Sequence, residues 1–223
     1  MTKKLFWEAM LKFALGVLLL GILIFLPAGT LHYWNGWLFM GILFIPMFCA
    51  GLVMMVKSPD LLRKRLQAKE TELAQQWVIK LSGLMFLLGF ITAGLNVRFS
   101  WSVLPKSIVW GATLVFLVAY LLYAEVLREN RYLSRTIEVQ ENQKVIDTGL
   151  YGIVRHPMYS ASILLFLSMP LVLGSLPSFF IFLVYPVLIA KRIANEEQVL
   201  ARELDGYTAY QQKVKYKIIP WIW

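Results

Sequence analysis

Cysteine and histidine are nearly absent. The one cysteine, Cys49, lies inside an apolar run, so an internal disulfide is excluded. With two histidines in 223 residues there is no Cys/His cluster of metal-ligand spacing, and no metal is expected. Charge is scarce as well: Asp, Glu, Lys and Arg make up 16% of the chain, against about a quarter in a soluble domain. No Gly-x-Gly-x-x-Gly run follows a strand-like segment, which argues against a soluble dinucleotide-type site. Internal repeats and low-complexity tracts are missing. A disulfide scaffold, a zinc module and a disordered chain are thereby set aside.

What is present is apolar. Hydrophobic residues reach 59%, with a mean hydropathy of +0.64. Such a surplus must face something other than water, and lipid is the simplest solvent for it. Four runs are long enough to span a bilayer: 9–26, 37–56, 77–95 and 108–127. The first reads as a transmembrane helix rather than a signal peptide, because no small-residue cleavage site follows it. A fifth block, 158–190, is too long for one span and is interrupted by Gly174, Ser175 and Pro177, the residues of a tight turn. It predicts a helical hairpin with arms of roughly equal, short length. The expected fold is therefore all-α and polytopic, with about six membrane-embedded helices. Residues 1–127 form an N-terminal membrane region and residues 128–223 a C-terminal region that includes the hairpin.

The net charge of +9 is distributed as a membrane protein requires, and nucleic acid is not an expected partner. Lys3, Lys4, Lys57, Arg63, Lys64, Arg65, Lys69, Arg128, Arg131, Arg135, Lys144, Arg155, Lys191, Arg192, Arg202, Lys213, Lys215 and Lys217 fall on one set of alternate polar segments. The other set carries Arg98 and Lys106. This asymmetry predicts cytoplasmic termini and an even number of spans. Trp34, Trp37, Trp77 and Trp101 stand near predicted helix ends, where interfacial aromatics belong.

Two polar pieces flank the hairpin, and its turn brings them together. The first is Gly149-Leu150-Tyr151-Gly152-Ile153-Val154-Arg155-His156-Pro157-Met158-Tyr159, in which Pro157 is suited to open a helix. The second, 191–204, reads as a helix closed by Gly206, with Arg192 and Glu196 on one face. A guanidinium, an imidazole, a phenol and a carboxylate would then converge at the membrane surface. Each has a plainer use. Arg155 can anchor a helix end, His156 can cap it, and Tyr159 can belong to the aromatic belt. Arg192 and Glu196 can form a surface ion pair worth roughly 0.3–0.5 kcal/mol. Glu197 is expected on a solvated face. Their joint occurrence at the two ends of one hairpin favours a site.

Arg155-His156-Pro157-x-Tyr159, an apolar hairpin, and then Arg192-x-x-x-Glu196-Glu197-x-x-Leu200 together resemble the isoprenylcysteine carboxyl methyltransferase family, related to the phospholipid methyltransferases. Gly206-Tyr207-x-x-Tyr210 and Pro220 are similar to that family's tail. The resemblance spans about 139–220 and implies an S-adenosylmethionine-dependent membrane methyltransferase. It places cofactor contacts at Gln140, at Gln143, Lys144, Val145 and Ile146, at Tyr151, at His156, Pro157, Met158 and Tyr159, and at Glu196. It places the acceptor-contacting arginine at Arg192, with Arg155 bracing the loop or the cofactor carboxylate. The chain departs from the family at Ala161, where glycine is usual, at Gln143, where histidine is common, and at Lys213 and Lys217, where arginines are frequent. The implied acceptor is lipid-like or prenylated, and no obligate protein partner is indicated. Carboxyl O-methylation is favoured over N-methylation of a phospholipid headgroup, which would need a base. Two rival classes stand beside this: an NADPH-dependent membrane reductase resembling the sterol reductases, and a non-catalytic membrane scaffold.

Overall fold

The computed structural model describes residues 3–67, 73–130, 132–133 and 139–223. Lys69, Arg131 and Arg135, counted above among the cytoplasmic charges, lie outside them. The described residues are helical: α1 (Lys3–Ala28), α2 (Trp34–Lys57), α3 (Pro59–Gln67), α4 (Leu73–Phe99), α5 (Lys106–Glu129), α6 (Pro157–Val172), α7 (Leu176–Phe182), α8 (Val184–Glu203) and α9 (Tyr207–Lys213). Among the described residues, five stretches are long and apolar enough to cross a membrane: Leu5–Ala28, Trp34–Lys57, Gln76–Phe99, Lys106–Glu129 and Leu176–Glu203; α6 is a shorter apolar helix. This is the expected all-α, polytopic architecture.

The apolar surface points outward where lipid would lie. Leu11, Leu15, Leu18 and Leu26 on α1 and Leu114 and Leu121 on α5 are all exposed. Inside, aromatic rings fill the contact between helices: Phe39 meets Phe90 and Phe116 at centroid distances of 5.8 and 6.0 Å, and Phe182 meets Phe90 at 5.8 Å. α5 packs along α6 and α1 along α4, while α4 also receives α7 and α8. Two glycines allow α4 its close neighbours. A Cβ at Gly94 would lie 2.5 Å from the Ile24 carbonyl oxygen, and one at Gly89 would lie 2.3 Å from the Phe182 ring. Small residues at helix crossings are how backbones approach in lipid, where burial against hydrocarbon gives no drive of its own.

The predicted hairpin is present, with unequal arms. α6 ends at Leu173 and Gly174, whose φ of +71° suits the turn. The returning arm is much longer than predicted, running through α7 and α8 to Glu203. It is stepped at Leu183, because Pro186 has no N–H for the Phe182 carbonyl and its ring crowds that turn. The helix predicted from residue 191 thus begins at Val184. It ends at Leu204, and Gly206 opens α9 rather than closing α8.

The hairpin tip is stapled at the face away from the polar loops. Asn35 Nδ2 donates to the Val172 carbonyl at 2.8 Å, and Asn96 Nδ2 to those of Ser102 at 3.0 Å and Gly174 at 3.3 Å. Tyr33 Oη also donates to the Leu173 carbonyl. The opposite end of the hairpin is left to carry the site.

Candidate functional site

The loop entering α6 is built around a carboxylate and a glycine. Glu129, the last residue of α5, accepts from Thr148 Oγ1 at 2.9 Å and from the Leu150 N–H at 3.2 Å. Gly149 sits beneath it at φ +49°, where a Cβ would come within 2.2 Å of Glu129 Oε1. A 3₁₀ turn over Gly149–Gly152 follows and buries Tyr151. Tyr151 Oη accepts from Asn130 Nδ2 at 2.9 Å, and its carbonyl accepts from Tyr210 Oη at 2.7 Å. Burial pushes the Tyr151 phenol up to about 12, against the smaller opposing effect of the Asn130 bond, so it stays protonated at neutral pH. Pro157 is the first residue of α6 and His156 its cap.

The tail closes the other side. Arg155 N–H donates to the Tyr216 carbonyl at 2.9 Å and His156 N–H to that of Lys217 at 2.8 Å. Ser160 Oγ donates to the Ile218 carbonyl at 2.6 Å. The Arg155 guanidinium continues the strap with Nη1 on the Val214 and Lys215 carbonyls at 2.7 and 3.0 Å, and with Nε on Glu197 Oε1 at 2.7 Å. Glu197 also meets His156 Nε2 at 3.2 Å and Lys217 Nζ at 3.0 Å. The expectation of a solvated Glu197 is therefore wrong. It is buried among three basic side chains, because the tail covers the face of α8 that helical periodicity alone would leave to water. In the bracing role considered for it, Arg155 serves the loop, through backbone carbonyls and Glu197.

Glu196 looks the other way. Tyr159 Oη donates to Glu196 Oε2 at 2.6 Å and accepts from Arg192 Nε at 2.8 Å. A phenol thus stands between the arginine and the carboxylate that the sequence pairs at four residues' spacing. These side chains line a small pocket that opens at the base of the hairpin. Of the residues singled out from the sequence, Gln143, Lys144, Val145, Ile146, Tyr151, His156, Met158, Tyr159, Arg192 and Glu196 all line it. Gln140 and Pro157 are not among the lining residues. Gln140 Nε2 donates to the Tyr132 carbonyl at 2.7 Å, and its N–H donates to Gln143 Oε1 at 2.9 Å, so it shapes the loop. Pro157 acts through the start of α6.

The pocket has a further wall that the sequence reading did not assign: Asn130, Tyr132 and Leu133 from one side, and Leu200, Leu204, Tyr207 and Tyr210 from the other. The i+4 steps from Glu196 to Leu200 and Leu204 were a usable signal for two of these. Tyr207 Oη is buried and has no hydrogen-bond partner among the described residues. A buried hydroxyl left without a partner in a pocket wall is a fit for a polar ligand. No group of three or more His, Cys, Asp or Glu side chains that could hold a metal occurs among the described residues.

Residues 111–202 match the Isoprenylcysteine carboxyl methyltransferase (ICMT) family, about two-fifths of the chain. The match bears out the resemblance carried by the two motifs flanking the hairpin. Delta(14)-sterol reductase TM7SF2 of Mus musculus is 28% identical over 91 residues, covering 40% of this chain and 22% of the reductase. The aligned stretch thus spans about a fifth of that relative's length.

Proposed function

We propose, from the coincidence of the ICMT-family match with the pocket-bearing α6–α8 hairpin, that this protein is a membrane methyltransferase using S-adenosylmethionine on a lipophilic acceptor. The carrying observation is that Tyr159, Arg192 and Glu196 form one hydrogen-bonded row on a pocket wall at the base of the hairpin, with His156 beside it. When bound, S-adenosylmethionine supplies an electrophilic methyl group on a cationic sulfur. Glu196 holds the cofactor's ammonium or ribose hydroxyls. Residues 143–146, Tyr151, His156 and Met158 surround it, while Gln140 and Pro157 support it from behind. The row matters because alignment of two reactants can lower a barrier by up to roughly 7–11 kcal/mol.

Arg192 is the acceptor-facing residue in this reading. Its Nε is anchored by Tyr159, which fixes the plane of the guanidinium. A planar guanidinium grips a carboxylate with two parallel bonds. A carboxylate nucleophile gripped in this way needs no general base, whereas an amine would require one. Carboxyl O-methylation is favoured for that reason over amine methylation. An apolar acceptor suits a second cavity, between α1, α2, α3 and α5, which encloses about 1350 Å³ including its mouth. Met10, Phe13, Met54, Tyr123 and Leu127 line it. The pocket faces the cytoplasm in this reading, with both termini on that side.

The mouse reductase favours a second reading, an NADPH-dependent reductase on the same scaffold. Calorimetry on the detergent-solubilised protein separates the two. S-adenosylhomocysteine is expected to bind and NADPH not to, and NADPH binding in its place overturns the proposal. Glu196→Ala is expected to abolish S-adenosylhomocysteine binding in a protein that stays folded, with the lost Tyr159 bond costing about 1–3 kcal/mol of stability. Unchanged binding in that variant would remove Glu196 from the cofactor site, and a wild type that binds neither ligand would leave a scaffold that keeps the fold without the chemistry.

A further inference from the structure

Residues 219–223 follow the strap and turn their apolar side chains outward. Trp221 is 83% exposed and Ile222 77%, and Ile219 and Trp223 are exposed beside them. A cluster of large exposed apolar groups marks a surface that meets something other than water.

The backbone of this segment is tied to itself. The Ile218 and Ile219 N–H groups both donate to the Trp223 backbone oxygen at 3.0 Å, and the Trp223 N–H returns to the Ile219 carbonyl at 3.1 Å. The Ile222 N–H joins that carbonyl at 3.2 Å, and Pro220 has no N–H to satisfy. The knot closes through Trp221, which takes φ +62°, a conformation that side chains resist. A turn that satisfies most of its N–H groups internally can leave water at little cost. The Lys217 ammonium lies 5.6 Å from the centre of the Trp223 ring, so a cation stands at the base of the knot.

The height of the knot along the helices is set by what it grows from. Ile218 is buried in the same apolar cluster as Ile189 and Ile193 of α8, and its carbonyl accepts from Ser160 in the first turn of α6. Those two isoleucines bracket Lys191, where α8 passes from apolar to charged residues, and α6 begins its apolar run at Pro157. The knot therefore leaves the protein at the level where these helices leave the hydrocarbon. Indole rings beside a lysine match the chemistry of that layer: tryptophan belongs among the headgroups, and lysine reaches past it to water.

We propose that residues 219–223 are an interfacial anchor, with Trp221 and Ile222 inserted among the phospholipid headgroups on the pocket side of the bilayer. The occupant of this surface is lipid, not a second copy of the chain or another protein. The strap that clasps the Arg155–His156 loop is thus held at its far end by the membrane. This goes beyond the methyltransferase reading and stands without it.

The test places a nitroxide on Ile222→Cys in the Cys49→Ser protein, reconstituted in phosphatidylcholine vesicles. Collision with oxygen, which concentrates in lipid, is compared with collision with a water-soluble nickel chelate. Leu121→Cys on the outward apolar face of α5 and Glu141→Cys at an exposed polar turn give the two limits. The oxygen-to-nickel ratio at residue 222 should lie several-fold above that at residue 141, toward that at residue 121. Trp221→Cys, carrying the same label, should give the same order, so the result does not hang on one variant. A ratio equal to that at residue 141 puts the knot in water and overturns the proposal. Low accessibility to both reagents means that protein covers the knot, and overturns it equally. Neither result depends on S-adenosylhomocysteine binding, so failure here is distinct from failure of the methyltransferase reading.

Discussion

Glu196 and Glu197 are adjacent in the chain and opposed in use. A step of one residue turns a helix by about 100°, so the two carboxylates leave α8 in different directions. Glu196 reaches Tyr159 in the pocket, and Glu197 reaches Arg155, His156 and Lys217 behind it. Removing Glu197 strands buried cations, so Glu197→Ala is expected to destabilise the protein by about 3–5 kcal/mol, read from thermal unfolding in detergent. The contrast with Glu196→Ala separates the brace from the site. The motif pattern led to Arg192, Glu196, His156 and Tyr159, and counting by helical turns put the first two on one face. It could not show that Tyr159 stands between them, nor that residues 214–218 cover Glu197, because both contacts join segments distant in sequence. Tyr207 was visible in the sequence only as part of a tail motif. Its place in the pocket wall follows from the left-handed Gly206.

At the scale of elements, hydropathy located the spans well, since long apolar runs have few alternatives in lipid. It misjudged the returning arm of the hairpin. The change from apolar to charged residues at Lys191 was read as the start of a new helix, whereas α8 continues through it from Val184. Composition reports where the solvent changes, and a helix can cross that boundary unbroken. The entry loop was legible through Arg155, His156, Pro157 and Tyr159, but the reason for Gly149 lies in Glu129, twenty residues earlier. Gly149→Ala forces a side chain into a left-handed position and against that carboxylate, at an expected cost of about 1–3 kcal/mol. Hydrogen exchange should show the Leu150 amide, which donates to Glu129, losing protection.

For the whole molecule, the uneven distribution of basic residues was the clearest statement in the sequence. It predicts that the Lys215 end of the molecule faces the cytoplasm and Lys106 the opposite side. Single cysteines at these two exposed positions, in a Cys49→Ser background, should react with an impermeant maleimide from opposite faces of sealed vesicles. Labelling of both from one face would refute the topology. The strap from Arg155 and Ser160 to Val214, Lys215 and Ile218 also fixes an order of construction. Among the described residues, the helices long and apolar enough to cross a bilayer are all synthesised before the segment that locks the Arg-His-Pro loop. The loop that Arg155 and His156 occupy therefore stays unclasped through the making of those helices, and its closure waits for residues 214–218 to dock.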